Sequence, residues 1–203
     1  MAREGYPFIL LCAFATLVFA ILDVLPLTVA GLVLTLFVTY FFRDPERTVP
    51  DSDRAIVSPA DGKVILCEQL MDERFTGGEA YKISIFMNIF NVHVNRLPFA
   101  GTVKRTVWQP GRFYSADTER GGLYNEYCAM TVAAAGLTYT VVQVAGLIAR
   151  RIVCWAEPGD RLATGQRYGL IRFGSRLDIY LRPQVAPAVG KGELSRRAGY
   201  PGR

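Results

Sequence analysis

The chain holds a single histidine, His93. Any step that needs an imidazole as acid or base therefore has one candidate, although a lone histidine in a β-rich stretch is as readily a packed core residue. Four cysteines, Cys12, Cys67, Cys128 and Cys154, are scattered along the sequence. None forms a CxxC pair and His93 lies near none of them, which argues against a zinc site; reduced, packed thiols are expected. Gly174-Ser175 is set between two apolar runs, and by itself the pair reads as a hairpin turn. Asp61 stands in another turn, Pro59-Ala60-Asp61-Gly62.

The elements that must position these residues divide the chain. From Phe8 to Phe42 there is one charged residue, Asp23, and Pro26 follows three positions later. The two apolar pieces, 8–22 and 27–42, are each slightly shorter than the ~20 residues of a spanning helix. One broken span or a helical hairpin with 23–26 at its tip would fit. Arg3 before the run and Arg43 and Arg47 after it favour a membrane hairpin with both ends on the cytoplasmic side. A cleaved signal peptide and a buried helix pair are the rivals; Glu4 and the second apolar piece weigh against the former.

Residues 43–54 are polar and proline-interrupted and read as a linker, and 55–183 as a β-rich domain. Strands are expected at 63–69, 81–88, 102–108, 126–135, 138–145, 150–156, 168–173 and 177–181, with a hairpin across Gly136. No long helical period occurs beyond position 50. From 184 to 203 the sequence is rich in Pro, Gly, Lys and Arg and reads as a flexible tail. The segment 157–166, Glu-Pro-Gly-Asp-Arg-Leu-Ala-Thr-Gly-Gln, has the pattern of small barrel-sandwich domains related to lipoyl and biotinyl carriers. In the full sequence, 23 Lys+Arg against 18 Asp+Glu give a net charge of +5, and 51% of residues are hydrophobic. That excludes a disordered polyampholyte and leaves no basic block long enough to track nucleic acid; a mild basic excess suits an anionic membrane surface.

Three segments are read together: Ser58-Pro59-Ala60-Asp61-Gly62, Phe90-Asn91-Val92-His93-Val94-Asn95-Arg96-Leu97-Pro98, and Arg172-Phe173-Gly174-Ser175-Arg176. With the entry Phe41-Phe42-Arg43-Asp44-Pro45-Glu46-Arg47, and in this order, they resemble phosphatidylserine decarboxylase in its short bacterial and archaeal form, over about residues 36–183.

The resemblance implies conversion of phosphatidylserine to phosphatidylethanolamine and CO2 at the cell membrane. It implies no added cofactor, neither metal nor pyridoxal phosphate. A pyruvoyl group would arise from Ser175 when the chain cuts itself at Gly174–Ser175, giving a β chain, 1–174, and an α chain, 175–203, that stay together as a heterodimer. The serine hydroxyl attacks the preceding carbonyl, which needs a small preceding residue and a base. His93 is the base that the resemblance points to, with Asp61 as its orienting carboxylate. The pyruvoyl carbonyl would take the substrate amine as a Schiff base and act as electron sink, with His93 again the acid that protonates the product carbon. Arg96, Arg172 and Arg176 lie near this chemistry and could fork onto a phosphodiester, though each also reads as a solvated charge.

The sequence departs from the family pattern in two places. Many members have H-x-x-H where this chain has His93 and Arg96, so His93 would serve both steps unless water or Asp61 covers one. Many have N-E-R-N where this chain has Asn125-Glu126-Tyr127-Cys128, and the role of that segment is open. Two other readings stand beside this one. A non-catalytic, membrane-tethered carrier or adaptor would want an exposed lysine at the tip that Gly-Ser occupies, and a pyruvoyl decarboxylase of archaetidylserine would share the head-group chemistry. A further homo-oligomer of the β–α heterodimer is compatible with the resemblance.

Overall fold

The computed structural model describes residues 1–50, 56–147, 151–172, 174–183 and 189–195. Most of the expected tail, and residues 51–54 of the expected linker, fall outside them. The chain forms two units, Met1–Glu46 and Arg47–Arg203.

The first unit is a helical hairpin. A 3-10 turn, Arg3–Gly5, leads into α1 (Tyr6–Ile21), and α2 spans Leu25–Phe41. Pro7 and Pro26 sit in the first turns, where a missing N–H costs nothing. The turn between the helices places Asp23 at φ 56°, a left-handed conformation that aspartate tolerates better than most residues. The helices run antiparallel: the Phe8 and Phe42 rings stack at 5.6 Å, and the Thr16 and Thr35 hydroxyls meet at 3.3 Å. Both threonines also donate back to the carbonyl four residues earlier. Leu10, Leu11, Phe14 and Leu17 nonetheless remain exposed. A helix that is apolar all round and uncovered by protein needs another apolar environment. The stretch Arg3–Ile21 is long and apolar enough to cross a membrane, and α2 is shorter.

The second unit is mainly β. Eleven strands are described: β1 (Gly62–Asp72), β2 (Gly78–Met87), β3 (Val94–Arg96), β4 (Gly101–Gln109), β5 (Tyr127–Ala134), β6 (Leu137–Val144), β7 (Arg151–Cys154), β8 (Arg161–Leu162), β9 (Arg167–Arg172), β10 (Ser175–Leu181) and β11 (Leu194–Ser195). Eight form one sheet in the order β11-β1-β2-β10-β6-β5-β4-β8, and three form a second, β3-β9-β7. The expected β5–β6 hairpin is present, with Ala134 opposite Leu137. Several strands run longer than the apolar runs announced, because ladder bonds continue past the buried residues. Within the expected tail, Leu194 and Ser195 pair with Lys63 and Gly62 of β1.

The core lies where the sheets face each other. Ile83, Ile85 and Met87 of β2, Val141 of β6 and Leu177, Ile179 and Leu181 of β10 meet Tyr168 and Ile171 of β9 and Ile152 of β7. The alternation along β10 sorts its side chains between this core and a second cluster on the opposite face, where Tyr180 joins Ala80, Ala129, Val142 and Val144. Every residue of β10 is therefore buried. All four cysteines are free thiols.

A chain starting at Arg47 is expected to keep the β circular-dichroism spectrum and the cooperative melt of the full-length protein. Loss of the β signal on removing 1–46 would show that the helical hairpin is needed to fold the β domain.

Candidate active site

The chain changes sheets between Arg172, the last residue of β9, and Ser175, the first of β10. The expectation of a hairpin at this point is thereby corrected. β9 pairs with β3 and β7, whereas β10 pairs with β2 and β6. Crossing from one layer to the other in so few residues demands an abrupt backbone turn, and Gly174 supplies it at φ 67°, where a Cβ would be strained.

Ser175 follows at the mouth of the central strand, opposite Met87, with no exposed surface. Among the described residues its hydroxyl has no hydrogen-bond partner. A buried, unengaged hydroxyl is costly. A carrier's tip would be exposed; this one is enclosed.

His93 is also buried, just before β3. Gly174 N–H donates to its Nε2 at 3.2 Å. With Nε2 accepting, the ring proton belongs on Nδ1, which lies 3.0 Å from the Asn91 carbonyl oxygen. The preceding turn is itself fixed: Asn88 N–H donates to Asn91 Oδ1, and Phe90 N–H donates to Asn88 Oδ1, each at 2.9 Å. A main-chain carbonyl thus orients the imidazole. Asp61 forms an ion pair with Arg47. Two asparagines three residues apart are a turn signal that the sequence reading passed over.

The three arginines part ways. Arg96 donates from Nη1 to the Gly165 carbonyl at 3.1 Å. It also walls a shallow recess with Arg47, Asp61, the turn 58–60, and Val92 and Val94, the neighbours of His93. Arg172 is half-buried at the end of β9, opposite Arg151. Arg176 is 4% exposed and committed inside the fold. It forks onto Asp178, Nε to Oδ1 at 2.5 Å and Nη2 to Oδ2 at 3.0 Å, and reaches Ser84 Oγ at 2.9 Å and the Thr118 carbonyl at 3.4 Å. Lys82 stands 3.8 Å from Asp178. Burial lowers the Lys82 pKa below the ordinary lysine value, and the Asp178 carboxylate opposes that shift. Above this cluster lies α3 (Glu119–Tyr124), a short helix that no periodicity announced; the Thr118 side chain caps it by accepting from Gly121 N–H. A Cβ on Gly122 would come within 2.8 Å of Arg176 Nη1.

Two further buried polar side chains face the inter-sheet space. Gln143 donates to Asn95 Oδ1 at 2.9 Å. Asn95 lies 3.8 Å from the Met87 sulfur, and Met87 is the register partner of Ser175.

A family model for phosphatidylserine decarboxylase matches residues 34–200. The chain belongs to the phosphatidylserine decarboxylase family. A relative from Desulfotalea psychrophila is 54% identical over 97% of this chain and 92% of its own. Relatives from Syntrophotalea carbinolica and Oleidesulfovibrio alaskensis are 51% and 50% identical, over 95% and 94% of this chain and 91% and 87% of theirs. All three are named phosphatidylserine decarboxylase proenzyme. The chain is thus a decarboxylase and not an adaptor. Among the described residues no cluster of three or more His, Cys, Asp or Glu is placed to hold a metal ion.

Removing one partner of a buried, forked ion pair costs about 3–5 kcal/mol. Asp178→Ala in this decarboxylase should accordingly lower the unfolding free energy by about that amount in urea melts. An unchanged midpoint would show that Arg176 finds other partners without cost.

Proposed function

We propose that this decarboxylase matures by cutting itself at Gly174–Ser175 and that the new Ser175 terminus becomes a pyruvoyl group acting on phosphatidylserine. The observation that carries the reading is the enclosed Ser175 hydroxyl, next to a glycine in a left-handed turn whose N–H is held by the only imidazole.

Maturation uses the chain's own atoms. His93 Nε2 exchanges the Gly174 N–H for the Ser175 hydroxyl and takes its proton. Oγ adds to the Gly174 carbonyl carbon, the C–N bond breaks, and the amide becomes an ester with a free amine on Ser175. A base then removes the α proton, the Cβ–O bond breaks, and Gly174 leaves as a carboxylate. The remaining dehydroalanine takes up one water and loses one ammonia.

The fold accommodates this chemistry. Ser175 lies at the start of a strand whose ladders to β2 and β6 hold residues 175–181 after the cut. The pyruvoyl carbonyl condenses with the substrate amine and draws off the electrons left when CO2 departs. Once Gly174 is a chain end, its N–H can leave Nε2. His93 is then available to deliver a proton to the substrate carbon, which is how one histidine serves two steps. Arg96, in the recess beside the 92–94 segment, is placed to meet the phosphodiester, with Arg172 a second candidate. Arg176, first expected to meet the phosphodiester, secures the new terminus through Asp178 and Ser84 instead. Asp61, which lines the recess with Val92 and Val94, is the carboxylate partner of His93. The apolar hairpin, with arginines at both ends, holds the enzyme on the membrane that contains its substrate, with the β domain on the cytoplasmic face.

Intact mass of the wild-type protein should show two chains, 1–174 and 175–203, in place of one of 22.5 kDa. The small chain should be one ammonia lighter than the plain hydrolysis product, resist Edman sequencing and react with borohydride. Ser175→Ala should give one uncut, inactive chain. His93→Ala should slow maturation, turnover or both by about 10²–10⁴-fold, and Asp61→Asn should act in the same direction. Full activity from an uncut chain would end this reading.

A further inference from the structure

We infer that Asn125 and Gly146 are positioning residues for the self-cleavage proposed above, together holding the Gly174 carbonyl where the Ser175 hydroxyl attacks it. The inference rests on that reading and adds two residues to it.

Gly146 follows directly on β6. A Cβ built there would lie 2.2 Å from the Gly174 carbonyl oxygen and 3.2 Å from its carbon. The carbonyl that must be attacked therefore rests against the bare α carbon of Gly146. The backbone is not what asks for glycine here, because Gly146 is not among the residues with positive φ. The requirement is space, and it is set by the scissile carbonyl itself. The added atom would also touch the Ala116 Cβ at 3.5 Å, an ordinary contact.

Something must hold Gly146 in that position, and Asn125 does. Its side chain is buried and donates from Nδ2 to the Ala145 carbonyl at 2.8 Å, fixing the peptide that leads into Gly146. The same Nδ2 donates to the Tyr114 carbonyl at 2.8 Å, and Oδ1 accepts from Tyr114 N–H at 2.7 Å. Ala145 N–H donates to the Glu126 carbonyl at 2.9 Å. One amide thus binds Tyr114 to the end of β6, against which the Gly174 carbonyl rests. This gives Asn125 a role that its sequence position left open.

Acyl transfer from nitrogen to oxygen is sensitive to carbonyl placement, since a shift of ~1 Å can cost about 10²-fold in rate. A Cβ at Gly146 cannot stay at 2.2 Å, so the carbonyl must move by about that much.

The test follows cleavage of full-length protein in detergent by intact mass, with and without hydroxylamine, alongside thermal melts. Gly146→Ala should cut at least about 10²-fold more slowly than wild type. Asn125→Asp keeps the acceptor but loses both donors, and should slow cleavage by about 10-fold or more. Both should retain a cooperative melt. Hydroxylamine cuts an ester but not an amide, so neither variant should yield extra fragment, because the block precedes ester formation. Gly78→Ala, whose added Cβ meets nothing within 4 Å, should cut as wild type does. Wild-type rates in both variants, accumulation of a hydroxylamine-labile ester, or loss of the melt in both overturns the inference. A wild-type chain that never cuts defeats the self-cleavage reading instead.

Discussion

The step from β9 to β10 governs this molecule. Two sheets must be joined through residues 173 and 174, and only a glycine in the left-handed region makes the turn without strain. The consequence is a peptide bond pinned on every side. Its N-terminal neighbour donates to His93, its carbonyl is pressed on Gly146, and its C-terminal serine enters the middle of the larger sheet. Such a bond cannot relax as a surface loop would. A preorganised geometry of this kind is what an intramolecular attack requires, since the entropy of bringing the groups together is lost on folding and not at the moment of reaction.

The same placement explains why cutting need not release the product. A strand at the sheet edge would be held by one ladder; β10 is held by two, and both of its faces are buried. Arg176, the second residue beyond the proposed cut, adds a forked ion pair to Asp178 and hydrogen bonds to Ser84 and Thr118, the latter two on its other side. A buried pair of this kind adds little net stability, because desolvation offsets its Coulomb attraction; its effect is to fix the start of β10 in place.

Around His93 the hydrogen bonds set the tautomer: Nδ1 faces the Asn91 carbonyl, a neutral acceptor, which leaves Nε2 a lone pair that accepts from Gly174 N–H. The Asp61 carboxylate is ion-paired with Arg47, the residue that opens the β domain. A single imidazole with an unprotonated Nε2 suits a base that must first accept a proton and later return it.

The sequence alone determined the division into an apolar hairpin and a β domain. Hydropathy and strand alternation are local properties, and they survive into the fold wherever burial is one-sided, as in the β5–β6 hairpin. It also singled out the candidate reacting residues, because a lone histidine and a Gly-Ser pair inside ordered motifs leave few alternatives. It did not show that Gly174 joins two sheets and not two strands of one hairpin, since strand pairing is a long-range choice with no local signature. Nor did it separate the arginines. Arg96 and Arg176 look alike as charges, yet one walls a recess and the other is sealed beneath α3 by Asp178. Asn125 and Gly146 were silent for the same reason. A buried amide and a missing side chain acquire meaning only when the tertiary fold sets them against the Gly174 carbonyl.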